Sequence, residues 1–164
     1  MEIHHTPEQI SHALRWIVEL LNRHGVPYQI VGGLAAQAYG ATRPLVDIDL
    51  YIPLQQADGQ PGALEEMRPY MVREPLPHKS AAWDLVYLAL EYDGVLIEIG
   101  DSSTNPRFFN RIHQRWEQQE IDYSAGVAAT VYGVDVLVMP RAELLRYKLM
   151  LDREVDALDL DELS

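Results

Sequence analysis

Two aspartates separated by one residue are the most chemically active feature of the sequence. Asp47 and Asp49 lie in the segment Val46–Ile52, in which apolar and polar residues alternate strictly. Because successive side chains of a β-strand point to opposite faces, this pattern predicts a strand with Val46 and its apolar partners on one face, which can be buried, and both aspartates with Tyr51 on the other. Two adjacent carboxylates repel each other and lose hydration together, a cost that a divalent cation offsets. Oxygen ligands suit Mg²⁺ or Mn²⁺.

A doubled glycine precedes these aspartates. Gln29–Val31 is a short apolar segment typical of a strand, Gly32 and Gly33 end it, and residues 34–39 favour a helix closed by Gly40. At such a junction the free backbone N–H groups and the helix dipole favour a phosphate. A phosphate site followed about fifteen residues later by paired carboxylates predicts a nucleoside triphosphate (NTP) that is held with its metal.

In this order the residues resemble the signature of the DNA polymerase β-like nucleotidyltransferase superfamily, namely Gly32-Gly33, Gly40, Arg43 and Asp47-Ile48-Asp49-Leu50. The sequence is most similar to the small bacterial branch: lincosamide and aminoglycoside nucleotidyltransferases, and the toxin-type nucleotidyltransferases of abortive-infection systems. The resemblance is good over residues 28–53 and loose over residues 10–160. It implies an α+β nucleotidyltransferase fold, with a mixed β-sheet flanked by helices.

The resemblance also implies a third carboxylate on a following strand. Glu98 is a lone acid in the apolar segment Val95–Gly100, and it matches the family position. Taken alone, Glu98 could equally be a glutamate that faces water on an edge strand. Asp101 is the alternative third ligand. With the resemblance, the expected catalytic and metal-binding residues are Asp47, Asp49 and Glu98.

Two cations are expected to contact the nucleotide. Arg43 precedes the aspartates and can neutralise charge that develops on the phosphates. The order Lys148, Arg153, Asp156, Asp159 is similar to the closing segment of toxin-type and lincosamide-type members, in which a lysine approaches the phosphates. An ordinary position on a helix surface is the equal alternative for Lys148. The expected nucleotide-binding residues are Gly32, Gly33, Arg43 and Lys148.

Composition limits the class of protein. The chain has 164 residues, of which 48% are hydrophobic and 23% charged, so we expect one nucleotidyltransferase-like domain over residues 1–164. The absence of cysteine excludes disulfides, thiolate metal sites and cysteine nucleophiles. The sequence has neither a basic-then-apolar leader nor an apolar run of membrane-spanning length. We therefore expect a cytoplasmic protein with no membrane partner.

The net charge of −12 argues against nucleic acid as a partner. Part of this acidity lies in an expected helical end, residues 151–164, where six acids accompany one base. A solvated helix end is the simpler interpretation of this segment. The alternative is an acidic rim that favours a cationic substrate such as an amino sugar.

The remaining patterns predict the supporting elements. We expect a capped first helix after Thr6, a polar loop over 55–62, a helix over 63–71, irregular chain over 73–79, a hairpin of strands 83–90 and 95–99, a helix over 106–118, a hairpin about Gly133, and a helix over 141–151. Aromatic and basic residues between 102 and 125 could stack a base or bind phosphate, although core packing beneath a solvated face is the simpler account.

The expected activity is transfer of a nucleoside monophosphate from an NTP, ATP by preference, bound with Mg²⁺ or Mn²⁺. The acceptor would be a hydroxyl of a small molecule, antibiotic-like or an amino sugar, and pyrophosphate would be released. Two alternatives stay open: a toxin-type nucleotidyltransferase that acts on tRNA or protein, and a catalytically silent relative that binds nucleotide. A homodimer that completes the acceptor pocket also stays open.

Overall fold

A mixed β-sheet is the central element of the computed structural model, which describes residues 5–55 and 62–163. In chain order its nine described strands are β1 (Gln29–Val31), β2 (Ile48–Ile52), β3 (Met71–Lys79), β4 (Trp83–Tyr92), β5 (Val95–Asp101), β6 (Arg107–Asn110), β7 (Arg115–Gln118), β8 (Val127–Val131) and β9 (Val134–Val138). Their order in the sheet is β7-β6-β4-β5-β2-β1-β9-β8, and β3 pairs with β4.

Helices flank this sheet. They are α1 (Pro7–Arg23), α2 (Gly32–Ala38), α3 (Ala63–Met67), α4 (Arg141–Leu151) and α5 (Glu154–Leu163). Helix α1 begins with the predicted capping box, in which the Thr6 hydroxyl accepts from Gln9 N and the Gln9 side chain accepts from Thr6 N. The α+β fold with a mixed, helix-flanked sheet is thus confirmed.

The apolar face of β2 is largely as predicted. Ile48, Leu50 and Ile52 are buried, and they belong to the main hydrophobic core. The prediction for Val46 is wrong, because β2 begins at Ile48 and Val46 is 55% exposed on the preceding loop. The strand therefore anchors one aspartate, Asp49, and the other lies just outside it.

Strand β5 lies at the centre of the sheet, between β2 and β4. The interpretation of Glu98 as an edge-strand residue is therefore wrong. Strands β2 and β5 are parallel, and their register pairs Asp49 with Glu98 and Tyr51 with Gly100. Paired residues of neighbouring strands project from the same face, so the register brings two acids side by side.

Two segments differ from the prediction. Residues 106–118, expected as a helix, form the β6–β7 hairpin, in which Phe108 is fully buried against the aromatic rings of Trp83 and Tyr147. Residues 73–79, expected to be irregular because of Pro75 and Pro77, lie in β3. This strand has register shifts and pairs with β4 at the margin of the sheet, where a proline can be accommodated without breaking a central ladder.

The other predicted elements are confirmed with small changes in their bounds. Both hairpin turns, Asp93-Gly94 and Tyr132-Gly133, have two residues at positive φ, as a type I′ turn requires. The helix expected over 63–71 ends at Met67 and continues as a 3₁₀ turn. The polar loop is only partly covered, since residues 56–61 lie outside the described residues. None of the described helices combines the length and apolar character needed to cross a membrane.

Candidate active site

A cavity of about 400 Å³ opens on the sheet face that carries Asp49 and Glu98. It extends from the start of α2 to β4, and residues of α4 and of the segment before α5 contribute to its lining. Every residue that the sequence assigned to the site lines this cavity: Gly32, Gly33, Arg43, Asp47, Asp49, Glu98 and Lys148. The fold thus places residues that are distant in the sequence around one cavity.

Three carboxylates form the polar centre of the cavity. Asp49 and Glu98 are register partners on β2 and β5, and Asp47 lies directly before β2. All three are partly buried, and one carboxylate oxygen from each lies within 4.8 Å of the other two. Oxygen ligands of one divalent ion, each about 2.0–2.6 Å from it, lie at most about 5 Å apart. The donor set therefore fits a shared hard cation such as Mg²⁺ or Mn²⁺.

The pKa values of these acids are consistent with such a cation. Burial, reinforced by the charges of Asp47 and Glu98, raises the pKa of Asp49 well above its usual range. Burial and the neighbouring Asp47 raise the pKa of Glu98 to about 7. The charge of Asp47 thus opposes the ionisation of both Asp49 and Glu98, and a bound divalent cation would reverse that effect.

Gly32 allows the chain to pass close to Asp49. Its φ is +65°, and a Cβ at this position would lie 2.8 Å from Asp49 Oδ2. Any other residue would be strained and would also displace the carboxylate. The Gly32 N–H donates to the Tyr147 hydroxyl at 3.0 Å, so this amide, expected to bind phosphate, has a partner within the protein.

Arg43 lies on the loop between α2 and β2 and passes over Gly33. A Cβ at Gly33 would lie 3.3 Å from Arg43 Nη2. The guanidinium donates to Asp159 through Nε at 3.2 Å and through Nη2 at 2.9 Å. Arg43 therefore contributes to the cavity as a cation that is fixed in place by a buried carboxylate on α5.

Lys148 and Arg153 continue this ion-pair network. Lys148 is 1% exposed, so the interpretation as a surface lysine is wrong. Its Nζ lies 2.9 Å from Asp159 Oδ2 and 3.5 Å from Asp156 Oδ1. Arg153 donates to both carboxylate oxygens of Asp156, through Nε at 2.6 Å and Nη2 at 3.0 Å. Three cations thus share two buried carboxylates, which leaves a formal charge of +1 opposite the acidic centre.

The acidic end of the chain is only partly the solvated segment that composition suggested. Asp156 and Asp159 are fully buried, and for them a solvated position is wrong. Asp152 and Asp161 are exposed, as expected. Asp101, the alternative third ligand, does not join the acidic cluster, since its Oδ1 accepts from Leu54 N and from the N–H and hydroxyl of Ser103.

Several cavity residues had no predicted role. Tyr147 could not be connected to the glycine turn from the sequence, because the contact joins α4 to α2. Trp83, Leu85 and Tyr87 also line the cavity. Their alternation is a pattern of neighbouring residues and could have been detected in the sequence. Gln119, which is 3% exposed, also lines the cavity, and no pattern of neighbouring residues indicates this position.

Known structures share this architecture. The Thermotoga maritima protein TM1012, described as a candidate nucleotidyltransferase, superposes with a TM-score of 0.70 at 19% identity over 96% of this chain and 94% of its own. The lincosamide antibiotic adenylyltransferase LnuA, solved with lincomycin, gives 0.62 at 14% identity over 98% of both chains. ANT(2″)-Ia, solved with adenylyl-2″-tobramycin, gives 0.54 at 15% identity over 94% of this chain and 89% of its own.

The comparison identifies the fold as that of the nucleotidyltransferases. It confirms at the level of the fold the resemblance carried by the doubled glycine and the paired aspartates, including the likeness to small antibiotic-modifying members. No family model and no curated protein matches the sequence.

Proposed function

We propose that this protein is a metal-dependent nucleotidyltransferase that transfers a nucleoside monophosphate from an NTP to a hydroxyl of a small-molecule acceptor. One observation carries the proposal: Asp47, Asp49 and Glu98 converge on a space of cation size, directly beside the glycine turn. Residues from Val31 to Arg153 line the cavity that holds these acids. Because most of the chain contributes to this one site, the lining supports a single domain.

The reaction is a displacement at the α-phosphorus. The acceptor oxygen forms a bond to that phosphorus, the bond to the bridging oxygen breaks, and pyrophosphate leaves from the opposite side. Asp47, Asp49 and Glu98 would hold one or two Mg²⁺ ions, which when bound neutralise the leaving group and acidify the acceptor hydroxyl. Glu98 would complete the metal site, or take the hydroxyl proton as the general base.

The other site residues would position the nucleotide. Gly33 places its backbone next to Arg43, where the amide and the guanidinium can contact the same phosphate. Lys148 and Arg153 add positive potential to this side of the cavity while Asp156 and Asp159 hold them in place. The Gly32 amide, bonded to Tyr147, fixes the shape of the turn; a phosphate would have to displace Tyr147 in order to use it.

A small acceptor is supported by the other side of the cavity, which is apolar and aromatic. It is further supported by the structural neighbours, since LnuA was solved with lincomycin and ANT(2″)-Ia with adenylyl-2″-tobramycin. The net charge of −12 disfavours tRNA as the acceptor. ATP with Mg²⁺ is the proposed nucleotide and metal.

The decisive experiment is a transfer screen with α-labelled NTPs and Mg²⁺ against a panel of hydroxyl-bearing small molecules. Asp47→Ala should reduce transfer by roughly 10²–10³-fold, because charge stabilisation at the phosphates is lost. Asp161→Ala, at an exposed aspartate outside the cavity, is the matched control. Label transfer or pyrophosphate release that survives Asp47→Ala would rule out this mechanism.

Thermal shift separates binding from catalysis. Mg²⁺ with ATP should raise the melting temperature of the wild type by mass action, and Asp47→Ala should abolish the response. If that response is present but no acceptor in the panel is labelled, the result favours the alternative, a nucleotide-binding relative without transferase activity.

A further inference from the structure

The side of the cavity beyond Glu98 is built mainly by β4. Glu98 pairs with Ala89, and from there Tyr87, Leu85 and Trp83 follow at alternate positions on the same sheet face. The four residues describe a row that leads away from the acids towards the start of β4. We call Trp83, Leu85 and Tyr87 the β4 wall.

Tyr51 lies across the neighbouring strand and borders the β4 wall. Gly100, the register partner of both Tyr51 and Tyr87, has no side chain, and a Cβ there would lie 2.6 Å from Tyr51 Cε1. The ring of Tyr51 therefore covers Gly100, and glycine is needed for it to do so. Burial raises the pKa of Tyr51, so this residue offers a neutral ring and hydroxyl to the cavity.

Gln119 completes this part of the cavity. Its N–H donates to Pro106 O at 2.7 Å, which fixes it beside the point where β6 takes over from β5 as the neighbour of β4. The residue is 3% exposed and lines the cavity. Its Oε1 is buried, and no hydrogen-bond donor in the described part of the chain contacts it. Buried polar side-chain atoms nearly always have a partner, so this carbonyl requires an explanation.

We propose that Gln119 is a binding residue for the acceptor molecule, whose non-reacting O–H or N–H group donates to Oε1. The acceptor class that fits is a saturated ring with several hydroxyl or amino groups, a polyol or amino-polyol. Its C–H face packs on the aromatic rings of the β4 wall, and one polar group reaches Gln119. This inference rests on the proposed function, because it takes the acids as the reaction centre.

The order of the strands assigns Gln119 to the acceptor rather than to the nucleotide. The glycine turn follows β1, Asp49 and Glu98 lie on β2 and β5 with Asp47 directly before β2, and the β4 wall follows on the far side. In an in-line displacement the incoming oxygen and the leaving pyrophosphate lie on opposite sides of the phosphorus. With the pyrophosphate towards Gly33 and Arg43, the acceptor arrives from β4 and Gln119.

Binding of ring probes to the whole protein tests the proposal. The probes are glucose, glucosamine, myo-inositol and 2-deoxystreptamine, titrated by calorimetry or ligand-observed NMR. At least one should bind the wild type, and Gln119→Leu should weaken it by about tenfold, the effect of one hydrogen bond. Gln119→Asn keeps the amide but shortens its reach, so it should weaken probe binding to a similar extent. Gln119→Glu keeps an acceptor oxygen at the same reach, so it should bind the probe about as well as the wild type does. Comparison of glucosamine with glucose identifies the donor as ammonium or hydroxyl.

Gln118→Leu is the matched control. It makes the same change one residue earlier, where the side chain donates to Asn105 Oδ1 and does not line the cavity, so probe binding should be unchanged. The proposal is overturned if no probe binds the wild type, or if Gln119→Leu and Gln119→Asn bind as tightly as the wild type. It is also overturned if Gln119→Leu changes the preference between Mg²⁺–ATP and Mg²⁺–GTP, because the residue would then contact the nucleotide.

The same proteins distinguish this failure from failure of the proposed function. The thermal response to Mg²⁺–ATP depends on Asp47 and should be equal in wild type and Gln119→Leu. If the wild type has no such response, the proposed function fails, whatever the ring probes do. If the response is present and the probes behave alike in all variants, only the role of Gln119 fails.

Discussion

Two acidic clusters lie around one cavity, and they differ in what neutralises them. Asp156 and Asp159 are fully buried, and Arg43, Lys148 and Arg153 hold them in ion pairs of 2.6–3.5 Å. In the second cluster, Asp47, Asp49 and Glu98 face one another, and among the described residues no lysine or arginine forms an ion pair with them.

This difference separates acids that hold the fold together from acids that are available for chemistry. Burial of a carboxylate is tolerated when a cation of the protein accompanies it, as for Asp156 and Asp159. Where the protein supplies none, the pKa rises instead, as it does for Asp49 and Glu98. The second cluster is therefore the one that an external cation would complete.

The largest effect on stability is expected when one acid of each cluster is replaced in turn. Asp159→Asn should lower the free energy of unfolding by about 3–5 kcal/mol, because buried Lys148 loses its closest partner. Asp49→Asn should raise the stability of the metal-free protein, since it removes a like charge from its cluster. Urea denaturation in a chelator measures both. Exposed Asp161→Asn is the control, and equal effects of Asp159→Asn and Asp161→Asn would contradict a structural role for the network.

The pH dependence of stability provides the next test. The pKa of Glu98 is about 7 in the folded protein against an ordinary value of 4.5, so above pH 4.5 the unfolded chain loses a proton that the folded protein keeps. The free energy of unfolding of the metal-free wild type should therefore fall by about 1–3 kcal/mol between pH 4.5 and 7. Glu98→Gln should lack that loss, and Mg²⁺ should reduce it in the wild type. Parallel pH profiles of the two proteins in a chelator would argue against the shift.

A smaller effect is expected at the glycine turn. Gly32 and Gly25 both have a φ of +65°, but an added Cβ meets Asp49 at Gly32 and nothing within 4 Å at Gly25. Each change to alanine should cost about 1–2 kcal/mol of stability through backbone strain. Only Gly32→Ala should also abolish the thermal response to Mg²⁺–ATP. A normal response in Gly32→Ala would mean that the close approach to Asp49 is dispensable.

The smallest effect concerns one hydroxyl. Tyr147→Phe removes the acceptor of the Gly32 N–H and should cost about 0.5–1.5 kcal/mol. Tyr28→Phe is matched, because the Tyr28 hydroxyl also accepts from a backbone N–H, that of Leu137, outside the cavity. Both variants should lose similar stability in thermal unfolding, but only Tyr147→Phe should alter the affinity for Mg²⁺–ATP. Identical affinities would remove Tyr147 from the site.

The features that could be predicted from the sequence are those with a local signal. The doubled glycine and the alternation around Asp49 are patterns of neighbouring residues, and the structure brings them together in one cavity. The ion pair between Arg43 and Asp159 has no such signal, because the two residues lie 116 positions apart in the sequence. The β6–β7 hairpin was missed for the same reason: Phe108 is held in a strand by contacts with Trp83 and Tyr147, which override a local helix preference.

The loop that leads to Asp47 is fastened by the last described helix. Thr42 donates through its N–H and its hydroxyl to Glu162, and Arg43 binds Asp159. On a ribosome that adds about 5–20 residues per second, Arg43 emerges roughly 6–23 seconds before its partner does. During that interval the growing chain contains the doubled glycine and both aspartates but lacks the α5 residues that hold the loop before Asp47. The loop before Asp47 should therefore reach its final position only after α5 has been synthesised.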